Sequence, residues 1–334
     1  MKRTVIASSL LAAIALLLLP GSSETASAAG GGKIKIASLT PRGSALDKAL
    51  RKLGARMSSM TNGAWDIKTF PSGVAGDEVD VIRKMNVGQM DASIITTTGL
   101  SQIVREVAVL DAPGAIQGYK GLDKVKAELW PEMQKSFQDK GIQLLGWSEA
   151  GQYRYFSKKP IRRLSDLKQM RPWVWPASHV LKETYHTLGV TGVPLGVPEV
   201  YGALQTNMVD AVIGTSITAA GLQWWSKVSH VTADSTGFLL MGFVMTDKRW
   251  QQLPEPVREM IKGEINQQLE DSVKHIRVDD LKTFKKLTSR GLTAVEWDDS
   301  AMSEFEELSA QVRQRLTGRV YSKELLDRVV AMGK

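Results

Sequence analysis

The chain has 334 residues, of which 43% are hydrophobic and 23% are charged. This length and balance predict one large or two modest globular domains, and they exclude a disordered chain or a mini-protein scaffold. The sequence contains no cysteine, which excludes a disulfide framework, thiolate metal sites and a cysteine nucleophile. Its 43 lysines and arginines against 35 acidic residues give a net charge of +8. By itself, this charge is compatible with nucleic acid or another anionic surface as a partner.

The N-terminal 28 residues have the organisation of a secretory signal peptide. Lys2 and Arg3 precede an apolar run over residues 5–19, and the small-residue segment Ala26-Ser27-Ala28 follows. The run is about fifteen residues long, shorter than the roughly 20 residues that span a bilayer. We therefore predict cleavage after Ala28 and a soluble exported protein with no stable membrane insertion. Because the protein is exported and its basic residues are scattered, a nucleic-acid partner is not expected.

Strand-like and helical patterns alternate along the rest of the chain. Residues 33–37 alternate polar and apolar side chains as a strand does, and residues 44–60 follow with helical periodicity. The same patterns predict further strands at 67–70, 90–96 and 142–147, and helices at 77–87, 122–140, 180–188 and 254–286. Alternation of this kind is typical of a parallel sheet covered by helices.

One pattern occurs twice in the chain. A helical stretch, a tight turn and an Asp-Ala pair precede an apolar strand at Asp91-Ala92 and again at Asp210-Ala211. The repeat predicts two similar α/β lobes that face each other. Chance similarity between two amphipathic helices would produce the same pattern.

Small hydroxyl residues follow both repeated strands. In open α/β sheets, ligands bind in the crevice beyond the carboxyl ends of the strands. Thr97 and Thr98 after the first strand, and Gly214 and Thr215 after the second, are therefore candidate ligand contacts. The alternative role of such residues is to cap the N-terminus of the next helix.

Sequence signatures of catalysis and metal binding are absent. The four histidines are widely separated and form no H-E-x-x-H or comparable ligand spacing. The sequence also has no G-x-S-x-G elbow, no P-loop and no G-x-G-x-x-G segment. We therefore expect no metal, no cofactor and no enzymatic activity.

Two tryptophans stand two residues apart in a presumed strand. Side chains alternate with period two along a strand, so Trp173 and Trp175 place both indoles on one face. An indole combines a large apolar surface with one N–H donor. That face either packs in the core or lines a ligand cleft.

Five segments carry a resemblance to a known family: 61–63 (TNG), 70–73 (FPSG) with Gly76, 88–91 (GQMD), 161–168 (IRRLSDLK) and 199–210 (EVYGALQTNMVD). From Ile34 nearly to its C-terminus, the chain resembles the periplasmic solute-binding proteins of tripartite ATP-independent periplasmic (TRAP) transporters. The resemblance implies an α/β, two-lobed periplasmic binding protein fold with crossing strands, a long helix that spans both lobes, and a ligand held in the cleft. It implies a first lobe of residues 33–150 plus about 240–275, and a second of 151–239 plus about 276–334.

The chain departs from this family at the positions expected to bind a carboxylate. Members usually hold it with an arginine after an Asp-Leu-Lys-Gly element, where this chain has Trp173 or Val174. At a second family arginine it has Tyr153, beside Arg154. A buried carboxylate without its guanidinium loses several kcal/mol, whereas aromatic side chains offer apolar contact. These substitutions predict a hydrophobic or amphipathic ligand.

The resemblance implies an exported binding protein, not an enzyme, that delivers a small molecule to TRAP membrane subunits or to another envelope protein. One alternative is a TRAP-type binder of an organic acid held by a displaced arginine, Arg154 or Arg171. Another alternative is an envelope enzyme on the same scaffold. The predicted ligand contacts are Leu39, Thr97, Thr98, Tyr153, Arg154, Arg171, Trp173, Trp175, Gly214 and Thr215.

Overall fold

The structure is a computed structural model that describes residues 31–334, apart from the side chains of four residues within 269–274. The predicted signal peptide, residues 1–28, lies outside the described residues. Across the described range, no helix has the length and apolar character needed to cross a membrane.

The described residues form eleven strands and eleven α-helices. The strands are β1 (Gly32–Ser38), β2 (Trp65–Phe70), β3 (Ala92–Thr96), β4 (Ile142–Gln152), β5 (Arg154–Ser157), β6 (Trp173–Val174), β7 (Val193–Pro194), β8 (Ala211–Gly214), β9 (His230–Thr232), β10 (Phe238–Thr246) and β11 (Thr293–Val295). The helices are α1 (Ala45–Met60), α2 (Glu78–Asn86), α3 (Thr97–Ile103), α4 (Tyr119–Gln138), α5 (His179–Leu188), α6 (Val200–Gln205), α7 (Ser216–Gly221), α8 (Asp247–Gln251), α9 (Glu255–Ser289), α10 (Asp299–Leu316) and α11 (Lys323–Met332). Each of the nine elements predicted from the sequence starts within three residues of its observed start.

The first lobe is built on a five-stranded sheet in the order β2-β1-β3-β10-β4. The strands β2, β1 and β3 are parallel, as predicted, but β10 is antiparallel to both β3 and β4. The prediction of a purely parallel sheet was therefore wrong. The reason is the chain path: β4 leads out of this sheet directly into β5 of the second sheet, and β10 returns from there in the opposite direction.

The second lobe is built on a four-stranded sheet in the order β11-β9-β5-β8. Here β5 runs antiparallel to β8 and β9, and β9 is parallel to β11. The repeated Asp-Ala pattern places β3 in the first sheet and β8 in the second, each preceded by a helix, α2 or α6, and followed by another, α3 or α7. The repeat therefore corresponds to equivalent units in the two lobes.

Local sequence explains why the first units form. Ser44 caps α1 by accepting the Asp47 N–H at 3.2 Å, and α1 buries Leu50, Leu53 and Met57 at helical spacing against the first sheet. A capping box of Asp77 and Asp80 starts α2. These caps fix where each helix begins relative to the strand before it.

The long helix α9 contacts elements of both lobes. It packs against α1 and β4 of the first lobe and against α7 of the second. The predicted two-lobed α/β fold, with crossing strands and a lobe-spanning helix, is thereby confirmed. The residue bounds predicted for each lobe stay a prediction.

Candidate ligand-binding cavity

A cavity of about 920 Å³ is lined by residues of both lobes and of α9. Thr96 at the end of β3 and Gly214 at the end of β8 lie on its wall, and α9 contributes Gln268 and Thr283. The cavity therefore occupies the crevice at the carboxyl ends of the repeated strands, where open α/β sheets bind ligands. Its volume is that of a small-molecule site.

Tryptophans form one wall of this cavity. The rings of Trp173 and Trp175 stack with centroids 5.9 Å apart, and Trp224 meets Trp173 edge-on at 5.5 Å. All three line the cavity, although Trp173 is only 3% and Trp175 only 7% exposed. Trp173 donates its indole N–H to the Leu195 carbonyl at 2.8 Å. The face formed by Trp173 and Trp175 therefore both packs in the core and lines the cleft.

A hydrogen bond across the cleft joins Trp175 to Asp77. The Trp175 indole N–H donates to Asp77 Oδ2 at 2.7 Å, while Asp77 Oδ1 accepts the Glu78 N–H at 2.9 Å. Asp77 caps α2 of the first lobe, and Trp175 directly follows β6. Burial raises the pKa of Asp77, and the indole donor opposes that rise. This contact links the two sides of the cleft in the present conformation.

Buried carboxyl groups lie behind and along the first-lobe wall. Glu78 accepts the Thr96 N–H and the Thr96 hydroxyl, both at 2.8 Å, and burial raises its pKa to about 8. Asp111, which lines the cavity, accepts the Thr97 hydroxyl at 2.6 Å. Burial raises the pKa of Asp111 to about 7. At neutral pH, Glu78 is therefore mostly protonated and Asp111 is divided between its two forms.

Tyr153 and Thr236 lie side by side where the chain crosses between lobes. Both line the cavity, and the Thr236 N–H donates to the Tyr153 carbonyl at 3.0 Å. The Thr236 hydroxyl is buried and has no hydrogen-bond partner among the described residues. Burial, followed by the charges of Asp111 and Glu78, raises the pKa of Tyr153 well above its usual value. An unpartnered buried hydroxyl on a residue that lines a cavity is a candidate contact for a ligand oxygen.

The structure brings six of the ten predicted contacts to the cavity wall. These six are Leu39, Thr98, Tyr153, Trp173, Trp175 and Gly214. Of the others, Thr97 donates to Asp111, and Thr215 caps α7 by accepting the Thr218 N–H at 3.1 Å. Ligand contact by any of the ten stays a prediction.

Neither candidate arginine lines the cavity. Arg154 is 6% exposed and donates to the carbonyls of Thr232, at 3.3 Å, and Ala233. Its guanidinium lies 4.5 Å from the centre of the Phe284 ring. Arg171 is exposed and pairs with Asp210 at 3.3 Å. The cations on the cavity wall are instead Lys282 and Lys286 of α9, with no arginine among the described lining residues.

Several wall residues were not found from the sequence. This group includes Asp111, Trp224 and Thr236. It also includes Val180 and Leu181, which α5 contributes. The only signal for Asp111 is its position after the apolar stretch 107–110. Nothing local to Thr236 indicates that its hydroxyl lacks a partner, because that depends on the packing around it. Among the side chains that the structure describes, no group of three acidic or histidine residues could hold a metal ion.

Comparison with known proteins gives matches over most of the chain. The sequence profile of DctP, bacterial extracellular solute-binding protein, family 7, matches residues 36–319. A solute-binding protein of Roseobacter denitrificans is 26% identical over 179 residues, 53% of this chain and 54% of that protein. The C4-dicarboxylate-binding periplasmic protein DctP of Vibrio cholerae is 22% identical over 265 residues, 79% of this chain and 78% of that protein.

Solved structures are similar in fold. A TRAP periplasmic solute-binding protein of Shewanella oneidensis with bound succinate has a TM-score of 0.84 at 19% identity, covering 91% of this chain and 100% of that one. Other structures of similar fold hold galactonate, orotic acid or D-erythronate. Identities this low show the shared fold alone. Because the family profile spans residues 36–319 and the fold agrees with it, the chain belongs to the DctP family of TRAP solute-binding proteins.

Proposed function

We propose that this chain is exported to the periplasm, binds a small organic acid between its lobes, and presents it unmodified to the membrane subunits of a TRAP transporter. The observation that carries the proposal is the cavity of about 920 Å³, whose wall combines residues of both lobes with α9. A ligand in that position contacts both lobes at once, so its binding favours the closed arrangement.

An organic acid replaces the hydrophobic ligand predicted from the sequence, which the acid-binding relatives contradict. Succinate, galactonate, orotic acid and D-erythronate are all carboxylic acids. The tryptophans that suggested an apolar ligand also pack in the second-lobe core. Trp173 and Trp175 have their indole N–H groups bound to Leu195 and Asp77. Their aromatic character therefore serves the fold as well as the cavity.

Neutral donors are proposed to hold the ligand carboxylate in place of the family arginine. Thr236, whose buried hydroxyl has no partner among the described residues, and the adjacent Tyr153 line the wall where a second family arginine is expected. Asp111, with its pKa of about 7, adds a donor when it is protonated. Two carboxyl groups that share one proton attract each other, whereas two carboxylates repel. Binding of the acid is therefore expected to weaken as the pH rises from 6 to 8.

The test is calorimetry of the mature protein against a panel of small organic acids, beginning with succinate, galactonate and orotate. We expect one acid of the panel to bind with a micromolar dissociation constant. Thr236→Val keeps the side-chain shape and removes the hydroxyl, so it should weaken that binding roughly tenfold, about 1–2 kcal/mol for one hydrogen bond. Thr288→Val removes an exposed hydroxyl on α9 that bonds the Lys285 carbonyl, and serves as the matched control.

Two results would contradict the proposal. One is equal affinity for the acid and its neutral amide analogue, because the proposed contacts recognise the carboxylate. The other is mass spectrometry showing that the bound compound leaves the protein chemically altered, since a binding protein returns its ligand unchanged. Arg171→Ala should leave affinity unchanged, because Arg171 is exposed and lies outside the cavity wall.

A further inference from the structure

A second cavity, of about 460 Å³, lies on the other side of α5 from the ligand cavity. The helix presents Val180, Leu181 and Thr184 to the ligand cavity. To the second cavity it presents His179, Lys182, Glu183 and His186. Arg105, which follows α3, and Arg319, between α10 and α11, complete the polar part of this wall. We call this second cavity the basic pocket.

Positive charge predominates in the basic pocket. Arg105, Lys182 and Arg319 face a single acidic residue, Glu183. Glu183 is buried and already engaged, with Arg319 at 3.1 Å and Arg315 at 3.7 Å. Lys182 is exposed and forms no ion pair within the described part of the chain. The pocket therefore contains cationic groups that the protein does not neutralise.

The cations converge on one region instead of pointing apart. Arg105 donates from Nη1 to the Arg319 carbonyl at 3.2 Å, which joins two distant segments of the chain at the pocket. The pKa of His179 is lowered by burial and then by the charges of Lys182 and Arg105. Both charges therefore act on the same imidazole. Arg319 remains 69% exposed while it contacts Glu183, so its guanidinium is accessible from solvent.

We propose that the basic pocket binds a small multivalent oxyanion. Guanidinium and ammonium groups bind oxyanions through charge-assisted hydrogen bonds, and several of them around one concavity favour an anion with more than one charge. The volume of about 460 Å³ accommodates an anion larger than a single phosphate. Glu183 orients Arg319 at the wall and opposes binding of a carboxylate close to it. The anion would lie one helix away from the ligand cavity.

The test uses inorganic pyrophosphate as the probe, with inorganic phosphate for comparison, at constant ionic strength and without an organic acid. We expect pyrophosphate to bind saturably at one site, to raise the melting temperature, and to bind at least tenfold more tightly than phosphate. Lys182→Glu should weaken pyrophosphate binding at least tenfold. Lys182 is exposed, so this variant should fold. Lys135→Glu reverses an exposed charge on α4, far from the pocket wall in sequence, and is the matched control.

The proposal fails if pyrophosphate does not saturate a site at constant ionic strength. It also fails if Lys182→Glu and Lys135→Glu weaken binding equally, because that result shows a general effect of net charge. Arg105→Gln provides a second variant from another segment, and unchanged pyrophosphate affinity in it would also contradict the proposal, because Arg105 lines the pocket. None of these outcomes depends on which acid the ligand cavity binds.

Discussion

Glu78 allows the clearest quantitative prediction, because its carboxyl group is buried without a cation beside it. The residue is 2% exposed, and its oxygens accept from the Thr96 N–H and hydroxyl and from the Gly99 N–H. Burial raises its pKa from 4.5 to about 8. At about 1.4 kcal/mol per pKa unit, this rise in the pKa corresponds to a free-energy difference on the order of 5 kcal/mol between the protonated and ionised forms of Glu78.

The sign follows from proton binding in the two states. The folded chain keeps the Glu78 proton up to about pH 8, whereas the unfolded chain releases it near 4.5. The folded state therefore binds more protons between these values, and the free energy of unfolding falls as the pH rises through that window. Glu78→Gln stays neutral at every pH, and its amide can still accept the Thr96 N–H. The variant should lack this part of the pH dependence.

The assay is urea unfolding at pH 5 and at pH 8.5 for the wild type, Glu78→Gln and Glu106→Gln. Glu106 is exposed, so its variant should follow the wild type. We expect the wild type to lose several kcal/mol more than Glu78→Gln between the two pH values. Asp111 contributes to both proteins equally and cancels in the comparison. Identical pH dependence in wild type and Glu78→Gln would refute the reasoning, because it would mean that folding does not raise the pKa of Glu78.

Two further predictions concern the tryptophan wall. Trp175→Phe keeps an aromatic ring but removes the hydrogen bond to Asp77. The variant should therefore bind ligand roughly three- to tenfold more weakly. Without ligand, it should show a larger radius of gyration by small-angle scattering. An unchanged radius and affinity would show that this contact does not stabilise closure. Trp173→Ala should cost about 3–5 kcal/mol of folding stability and also weaken ligand binding, since Trp173 is both packed and on the wall. Chemical denaturation and calorimetry on the same variant measure both effects, and wild-type stability would show that the ring is not part of the core.

Local sequence patterns predicted the helices α1, α2, α4, α5 and α9, but not the 18-residue helix α10. The helix α9 was expected over 254–286 and spans Glu255–Ser289, with its proline in the first turn. Its prediction succeeded because a long stretch whose single internal proline, Pro256, stands in the first turn is recognisable from neighbouring residues alone. The repeated Asp-Ala segments likewise placed β3 and β8 in equivalent units, because helix, turn and strand follow one another along the chain.

Among the short strands of the second lobe, the presumed strand at Trp173 and Trp175 corresponds to β6, whereas β7 was not predicted. The strands β6 and β7 have two residues each and pair only with each other. A segment of two residues has no detectable alternation, so its strand conformation depends on the partner that accepts its hydrogen bonds. The direction of β10 depends similarly on the path of the chain through the other lobe. Neither property is present in the residues themselves.

The sequence by itself determined the family, the two-lobed α/β fold, the long helix and the absence of an arginine at the usual carboxylate position. These depend on residue identity and on spacing over short distances. Only the tertiary structure decided that Arg154 is held by the carbonyls of Thr232 and Ala233, and that Arg171 lies on the surface beside Asp210. It also decided that Thr236 lines a cavity and that its buried hydroxyl has no hydrogen-bond partner among the described residues. The physical reason is that a side chain's partners and its access to solvent are set by residues distant in sequence that pack around it.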